Sequence, residues 1–205
     1  MDDAPLAVKE SISRAMDALA KRGVVAAFVE SRAEALEKIK ELIPKGASVM
    51  NGSSRTLEEI GFIEYLESGN HGWDNLHEKI LAEQDPAKQA LLRKQAILSD
   101  YYLGSVHAVA ETGEFVVASN SGSQLPHIVF TSPNLIFVVG AQKIVPNLDA
   151  ALRRVRDYVL PLEDARMREA GMGGSAISKL LIFEREPSFM GRKAHIIFVN
   201  EKLGF

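Results

Sequence analysis

Short apolar runs alternate with helical segments along this chain, and that alternation restricts its fold more than any other feature. Val24–Val29, Ala47–Met50 and Leu135–Val139 are apolar runs of strand length, and Leu135–Val139 is the clearest of them. Helical periodicity or helix-capping residues follow each run. Strands that alternate with helices are joined by right-handed crossovers. The pattern therefore predicts an α/β fold, a doubly wound and mostly parallel sheet with helices on both faces.

Capping residues indicate where several helices begin. Ser31 with Glu34, and Thr56 with Glu59, have the spacing of a capping box. Asn147 is placed to cap a long helix after the Leu135–Val139 strand. A further helix begins at Asp85-Pro86, and its pattern predicts four residues inside: Leu91, Leu92, Ile97 and Leu98.

One hairpin locally interrupts the parallel pattern. Val106–Ala110 and Phe115–Ala118 flank the turn Glu111–Glu114, which is typical of two antiparallel strands. With 205 residues, of which 46% are hydrophobic, the chain is expected to form one large core. We expect residues 1–22 to form an N-terminal helix, Ala4–Lys21, packed on a single α/β domain of residues 23–205.

Composition excludes several classes of function. The chain has no cysteine, which excludes a disulfide, a thiol nucleophile, a Cys-type metal site and an iron–sulfur cluster held by these residues. Its 24 basic and 27 acidic side chains give a net charge of −3, unlike the basic balance of a nucleic-acid binder. Polar residues and a proline interrupt the most apolar stretch, Ile128–Val145, so we expect no membrane helix. The acidic start lacks the layout of an export signal, which favours a cytoplasmic protein.

The five histidines do not form a metal-binding pattern. None is paired at the spacing of two ligands on one strand or one helix face. We therefore expect no metal site.

The loops after the strands are the places to look for a ligand, because ligands of parallel sheets bind at the carboxyl ends of the strands. One such loop joins a predicted strand to a helix and contains Gly52, Ser53, Ser54 and Thr56. At the start of the helix, backbone N–H groups and hydroxyls are expected to bind a phosphate or a carboxylate. A polar turn in which Thr56 merely caps the helix is the alternative.

Two further loops carry candidate ligand-binding residues. Ser121, Gly122 and Gln124 lie in a segment of small polar residues that allows a ligand to approach the backbone closely. Lys143 follows the strongest strand and would neutralise an anion. The alternatives are a flexible loop for the first group and an ordinary surface lysine for the second.

Glu111 and His107 are the candidate catalytic residues. Glu111 follows an apolar stretch that would desolvate its carboxylate and raise its pKa, as a general base or nucleophile requires. His107 precedes it in the predicted strand and would be its orienting partner or a proton relay. A water-exposed turn glutamate and a hydrogen-bonded core histidine are the alternatives.

Several segments together resemble the LUD-domain family of lactate-utilisation proteins. The resemblance extends over nearly the whole chain from about Gly23 onward. It is carried by Gly52–Ser54, Thr56–Gly61, Gly104–Val109, Glu111 with Gly113, Ser121–Pro126, Val139–Val145 and Val199–Phe205.

The resemblance implies a fold like that of the sugar-phosphate isomerase and coenzyme A transferase superfamily, and a role in small organic-acid metabolism. In coenzyme A transferases of that superfamily a turn glutamate is the nucleophile, and Glu111 is similar in character. Some relatives carry a cysteine-rich segment before the last strand, where this chain has Phe183–Ser188, so an electron-transfer role would belong to a partner.

Three functions remain open at this stage. The resemblance favours lactate utilisation, the oxidation of lactate to pyruvate together with iron–sulfur partners. Within that role the chain is expected to be an enzyme that uses Glu111, like a coenzyme A transferase or a sugar-phosphate isomerase, or a non-catalytic subunit that docks an iron–sulfur oxidoreductase, or a ligand sensor. The expected ligand is a small anion: an organic acid, an acyl-CoA or a sugar phosphate. The expected partners are the iron–sulfur oxidoreductase subunit or a second copy of the chain, and neither nucleic acid nor a membrane.

Overall fold

Ten strands and eight α-helices make up the fold in the computed structural model, which describes residues 7–205. The strands are β1 (Val24–Val29), β2 (Ser48–Asn51), β3 (Asp74–Asn75), β4 (Tyr101–Gly104), β5 (Ala108–Ala110), β6 (Phe115–Ser119), β7 (Asn134–Gly140), β8 (Ile144–Val145), β9 (Lys179–Phe183) and β10 (Lys193–Val199). The helices are α1 (Lys9–Lys21), α2 (Arg32–Leu42), α3 (Arg55–Glu59), α4 (Phe62–Glu67), α5 (Leu76–Ala82), α6 (Pro86–Gln95), α7 (Leu148–Arg154) and α8 (Leu160–Glu169). The first residues of the predicted Ala4–Lys21 helix lie outside the described part of the chain.

The main sheet has six strands in the order β1-β10-β7-β4-β2-β3, and every neighbouring pair is parallel. Its central strand, β7, is buried on both faces, as a continuous apolar run requires. Leu135, Phe137 and Val139 point into one core, whereas Ile136 and Val138 point into the other. The predicted doubly wound α/β fold is confirmed.

Different elements cover the two faces of the main sheet, and each face has its own hydrophobic core. One face is covered by α2 and the α3–α4 segment, through Ile39, Leu57 and Phe62. The other packs against α1, through Leu19, and against a second sheet, through Phe115. The inner strands of the main sheet are therefore covered on both faces.

The predicted hairpin is confirmed, but it does not lie in the main sheet. Strands β5 and β6 pair in antiparallel fashion within a four-stranded sheet ordered β8-β5-β6-β9. Strand β8 pairs with β5 in parallel, and β9 pairs with β6 in antiparallel fashion. The expectation of one sheet with a local interruption is corrected to two packed sheets.

Capping predictions are confirmed at two helices and wrong at a third. The Ser31 side chain accepts from Glu34 N, and the Asn147 side chain accepts from Ala150 N. The cap of α3, however, is Ser54, whose side chain accepts from Leu57 N. Thr56 lies inside α3, where it is 1% exposed, so its hydroxyl serves another purpose.

Helix α6 begins at Pro86 as predicted, with Asp85 as its cap. The expectation that four residues lie inside is wrong, because α6 has no buried residue and Leu92 and Ile97 are only half-buried. Leu91 is 54% exposed and Leu98, in the turn after the helix, is 73% exposed.

A cleft at the strand ends

All six strands of the main sheet run in one direction, so their carboxyl ends meet at one edge. The turns after β2, β4 and β7 and the segment after β10 line a cleft of about 360 Å³ at that edge. We call it the strand-end cleft. The segment after β6 and the helix α7–α8 complete its walls. Its lining includes eight of the ten residues singled out in the sequence: Gly52, Ser53, Ser54, Thr56, His107, Ser121, Gln124 and Lys143.

Lys143 supplies the positive charge of the strand-end cleft. Its side chain is almost fully buried, at 3% exposure, and is not the surface lysine that was the alternative. Its Nζ donates to Thr56 Oγ1 at 3.0 Å and to Ser105 Oγ at 3.1 Å. Among residues 7–205, no aspartate or glutamate lies within ion-pairing distance of this ammonium. The lysine is thus held by two hydroxyls and not by a counter-charge.

Burial lowers the pKa of Lys143 from the usual 10.5 to about 7. Desolvation of the ammonium is the main cause, and the charge of Arg154 lowers the pKa further, while Glu59 acts in the opposite direction. A bound anion would stabilise this buried ammonium more than it would stabilise a solvated lysine, because Lys143 has no carboxylate partner of its own.

The Gly52–Thr56 turn shapes one side of the cleft. A Cβ at Gly52 would lie 2.5 Å from Tyr102 Oη, so only glycine allows this close approach. Helix α3, which follows, has five residues, and its dipole is correspondingly small. Lys143 is therefore the stronger source of positive charge at this edge, and binding of an anion by the Gly52–Thr56 turn stays a prediction.

His107 lines the cleft as a neutral imidazole. Its Nδ1 accepts from Ala118 N at 3.1 Å, which places the ring proton on Nε2. Desolvation, followed by the charges of Lys143 and Arg154, lowers the pKa of His107 to about 3. His107 is thus a donor to the cleft at neutral pH and not a partner of Glu111.

Gln124 connects the cleft to a buried polar group beneath it. Its Nε2 donates to Ala118 O at 3.1 Å, and its Oε1 accepts from Tyr102 Oη at 3.3 Å. The Tyr102 ring stacks on His127, with centroids 4.5 Å apart. Both ends of the Gln124 amide are therefore fixed, which holds this wall rigid.

Glu111 and Gly122 are the two predicted residues that do not line the cleft. The Glu111 carboxylate accepts from Arg14 Nε and Ser11 Oγ on α1. The hydrogen bond from Arg14 is the main reason that the pKa of Glu111 lies below its usual value, so the expected rise is wrong. At Gly122 φ is +85°, and a Cβ there would meet the Lys179 side chain at 2.6 Å.

Sequence reasoning missed several residues of the cleft. Ser105 follows β4, and the rule of strand ends would have found it. Arg55, Glu163 and Arg166 also line the cleft, but each has an ionic partner. Arg55 lies 3.5 Å from Glu59, and Arg166 forms a two-point ion pair with Glu163 at 2.8 and 2.7 Å.

The fold and the cleft together define an α/β protein with an open cleft at the carboxyl ends of its parallel strands. The LUD domain model matches residues 12–199, and the chain belongs to that family. At the family level this relates the protein to lactate utilisation.

A solved structure agrees with this assignment. The crystal structure of a DUF162 family protein from Deinococcus radiodurans is similar to this chain, with a TM-score of 0.58 and 14% identity, over 95% of this chain and 99% of that one. At this identity the likeness concerns the fold alone. No curated protein matches the chain.

Neither a membrane-crossing helix nor a cluster of metal-ligating side chains occurs in residues 7–205. No helix there is long and apolar enough to cross a bilayer. No group of three or more histidine, aspartate or glutamate side chains in that range is arranged to hold a metal ion.

Proposed function

We propose that the protein binds a small organic anion in the strand-end cleft and acts in lactate utilisation through that site. The observation that carries the proposal is Lys143, a buried ammonium held by Thr56 and Ser105 at the floor of an open cleft. Burying an ammonium without a counter-charge is costly, and an anionic ligand removes that cost. Family membership supports the metabolic context.

The ligand is held by groups from separate turns. Lys143 would bind its carboxylate, and the Ser53 hydroxyl and the His107 Nε2–H would donate to its remaining oxygens, since all three residues line the same cleft. Gln124 and Tyr102 hold the wall beside Gly52 in place. Preorganised donors of this kind bind an anion without the cost of reordering the site.

Glu111 has no role in this proposal. Its carboxylate is engaged by Arg14 and Ser11, it does not line the cleft, and its pKa is lowered. A carboxylate that is already ion-paired and ionised is a poor general base.

An iron–sulfur cluster does not fit these 205 residues, because they contain no cysteine. Electron transfer of that kind during oxidation of lactate to pyruvate would therefore belong to a partner subunit. The part of this chain is to bind the organic acid.

Isothermal titration of the full chain with lactate, pyruvate and acetate tests the proposal. We expect at least one of these carboxylates to bind, and the Lys143→Met variant to lose that binding. The Lys88→Met variant, which changes an exposed lysine on α6, is the matched control and should bind as the unmodified chain does. Binding that survives Lys143→Met would refute the assignment of the site.

A further inference from the structure

The strand-end cleft is larger than a three-carbon acid requires. Lactate and pyruvate have six non-hydrogen atoms, which fill at most about 180 Å³ at about 30 Å³ each, the liquid share of one water molecule. The cleft has a volume of about 360 Å³. At least half of it therefore remains for another part of the ligand.

The remaining space borders an apolar wall. It is formed by the helical segment α7–α8 and the chain just before β9, through Val155, Val159, Leu160, Met167 and Ile177. Val155 and Val159 begin and end a π-helical turn within this segment and are 1% and 4% exposed. Such turns are frequent at functional sites. The wall offers apolar contact to a ligand and few hydrogen bonds.

The charges of the cleft favour a ligand with a single negative charge. Within residues 7–205, Lys143 is the one charged lining side chain without an ionic partner, because Arg55 pairs with Glu59 and Arg166 pairs with Glu163. A sugar phosphate carries a second charge and many hydroxyls, and the apolar wall would leave those hydroxyls without partners.

We propose that the ligand is an aliphatic monocarboxylate of about four to eight carbons. The carboxylate binds at Lys143, and the aliphatic body lies against the apolar wall. An eight-carbon acid has ten non-hydrogen atoms, or at most about 300 Å³ by the same measure, and fits the cleft. This inference rests on the proposed function, because it names the ligand class of the same site.

The test compares affinities along a homologous series: acetate, butanoate, hexanoate and octanoate, titrated into the full chain by calorimetry. Burial of each methylene at an apolar wall is expected to tighten binding about fourfold. Hexanoate should therefore bind more than a hundredfold tighter than acetate. Glucose 6-phosphate, a phosphorylated and hydroxylated anion, should bind more weakly than hexanoate.

Two variants test whether the gain in affinity with chain length comes from the apolar wall. Val159→Thr keeps the shape of the side chain and adds a hydroxyl, and Met167→Ser acts at a more exposed position of the same wall. Each should reduce the affinity for hexanoate and leave that for acetate unchanged. Leu98→Ser changes an exposed leucine outside the cleft and should affect neither, which controls for binding to surface apolar groups.

The outcomes separate the two proposals. If affinity does not rise with chain length, or if the rise survives both wall variants, the ligand class is wrong and the site itself stands. If glucose 6-phosphate binds more tightly than hexanoate, the ligand class is likewise wrong. If no carboxylate binds, or if binding survives Lys143→Met, the proposed function fails, and this inference fails with it.

Discussion

Replacing Lys143 by methionine should remove a pH-dependent cost from the fold. Methionine fills a similar volume without a charge, so the change isolates the ammonium at 3% exposure. In the folded protein the pKa of Lys143 is about 7, against 10.5 for the usual side chain. Between these values the unfolded chain binds more protons than the folded one, so the stability of the unmodified protein rises with pH across this range.

The size of this effect on stability follows from the shift in the pKa of Lys143. This pKa is lowered by about 3.5 pH units, and each unit corresponds to about 1.4 kcal/mol. Below pH 7 the buried ammonium therefore lowers the free energy of unfolding by about 5 kcal/mol. This value is the upper limit of the stability that Lys143→Met can restore. From about pH 6 to about pH 9, the unmodified protein should gain about 2.5 kcal/mol relative to Lys143→Met. The hydrogen bonds that Lys143 donates to Thr56 and Ser105 offset part of the relief, but they affect the pH dependence little.

Urea denaturation at several pH values measures this difference. With a slope of about 2 kcal/mol/M, the gap between the two midpoints should change by about 1 M from about pH 6 to about pH 9. Lys88→Met, at an exposed position, should follow the unmodified protein throughout. A gap between the unmodified protein and Lys143→Met that stays constant with pH would show that Lys143 titrates as an ordinary lysine, and the account of the cleft would then be refuted.

Three further predictions follow from the same contacts. The affinity for hexanoate should fall up to about tenfold for each pH unit above 7, because the protonated Lys143 is the binding form. Calorimetry at several pH values measures this affinity, and an affinity that does not change with pH would contradict the prediction. Gly52→Ala should lower the free energy of unfolding, measured in urea, by about 1–3 kcal/mol, because the new Cβ would lie 2.5 Å from Tyr102 Oη. Gly104→Ala, whose Cβ would lie 3.4 Å from the Tyr102 ring, should cost less, and equal costs would argue against the steric explanation. Glu111→Gln should cost less than about 1 kcal/mol and leave hexanoate binding unchanged, because Glu111 pairs with Arg14 outside the cleft; a loss of binding would return Glu111 to the site.

The positions of the strands and the edge that carries the cleft were predictable from the sequence. An uninterrupted apolar run such as Leu135–Val139 needs cover on both faces, which a parallel sheet between two layers provides. The carboxyl ends of parallel strands then meet at one edge, so Gly52–Thr56 and Lys143 converge there for any correct assignment of the strands. Capping residues such as Ser31 and Asn147 act within a few residues, and for that reason they were read correctly.

Features that depend on distant parts of the chain were not predictable. Glu111 ionises below its usual range because Arg14 contacts it, and nothing within the turn around Glu111 indicates that partner. Leu91 has helical spacing, yet no layer of the fold covers it.

The sequence alone determined the layered α/β fold and the edge that carries the cleft, because apolar periodicity and caps are local properties of the chain. The tertiary structure decided which charged groups reach that edge unpaired. It buried Lys143 against Thr56 and Ser105 and left Glu111 ion-paired outside the cleft. The physical reason is that burial, and with it the pKa of a side chain, is set by segments far away in sequence that pack around it.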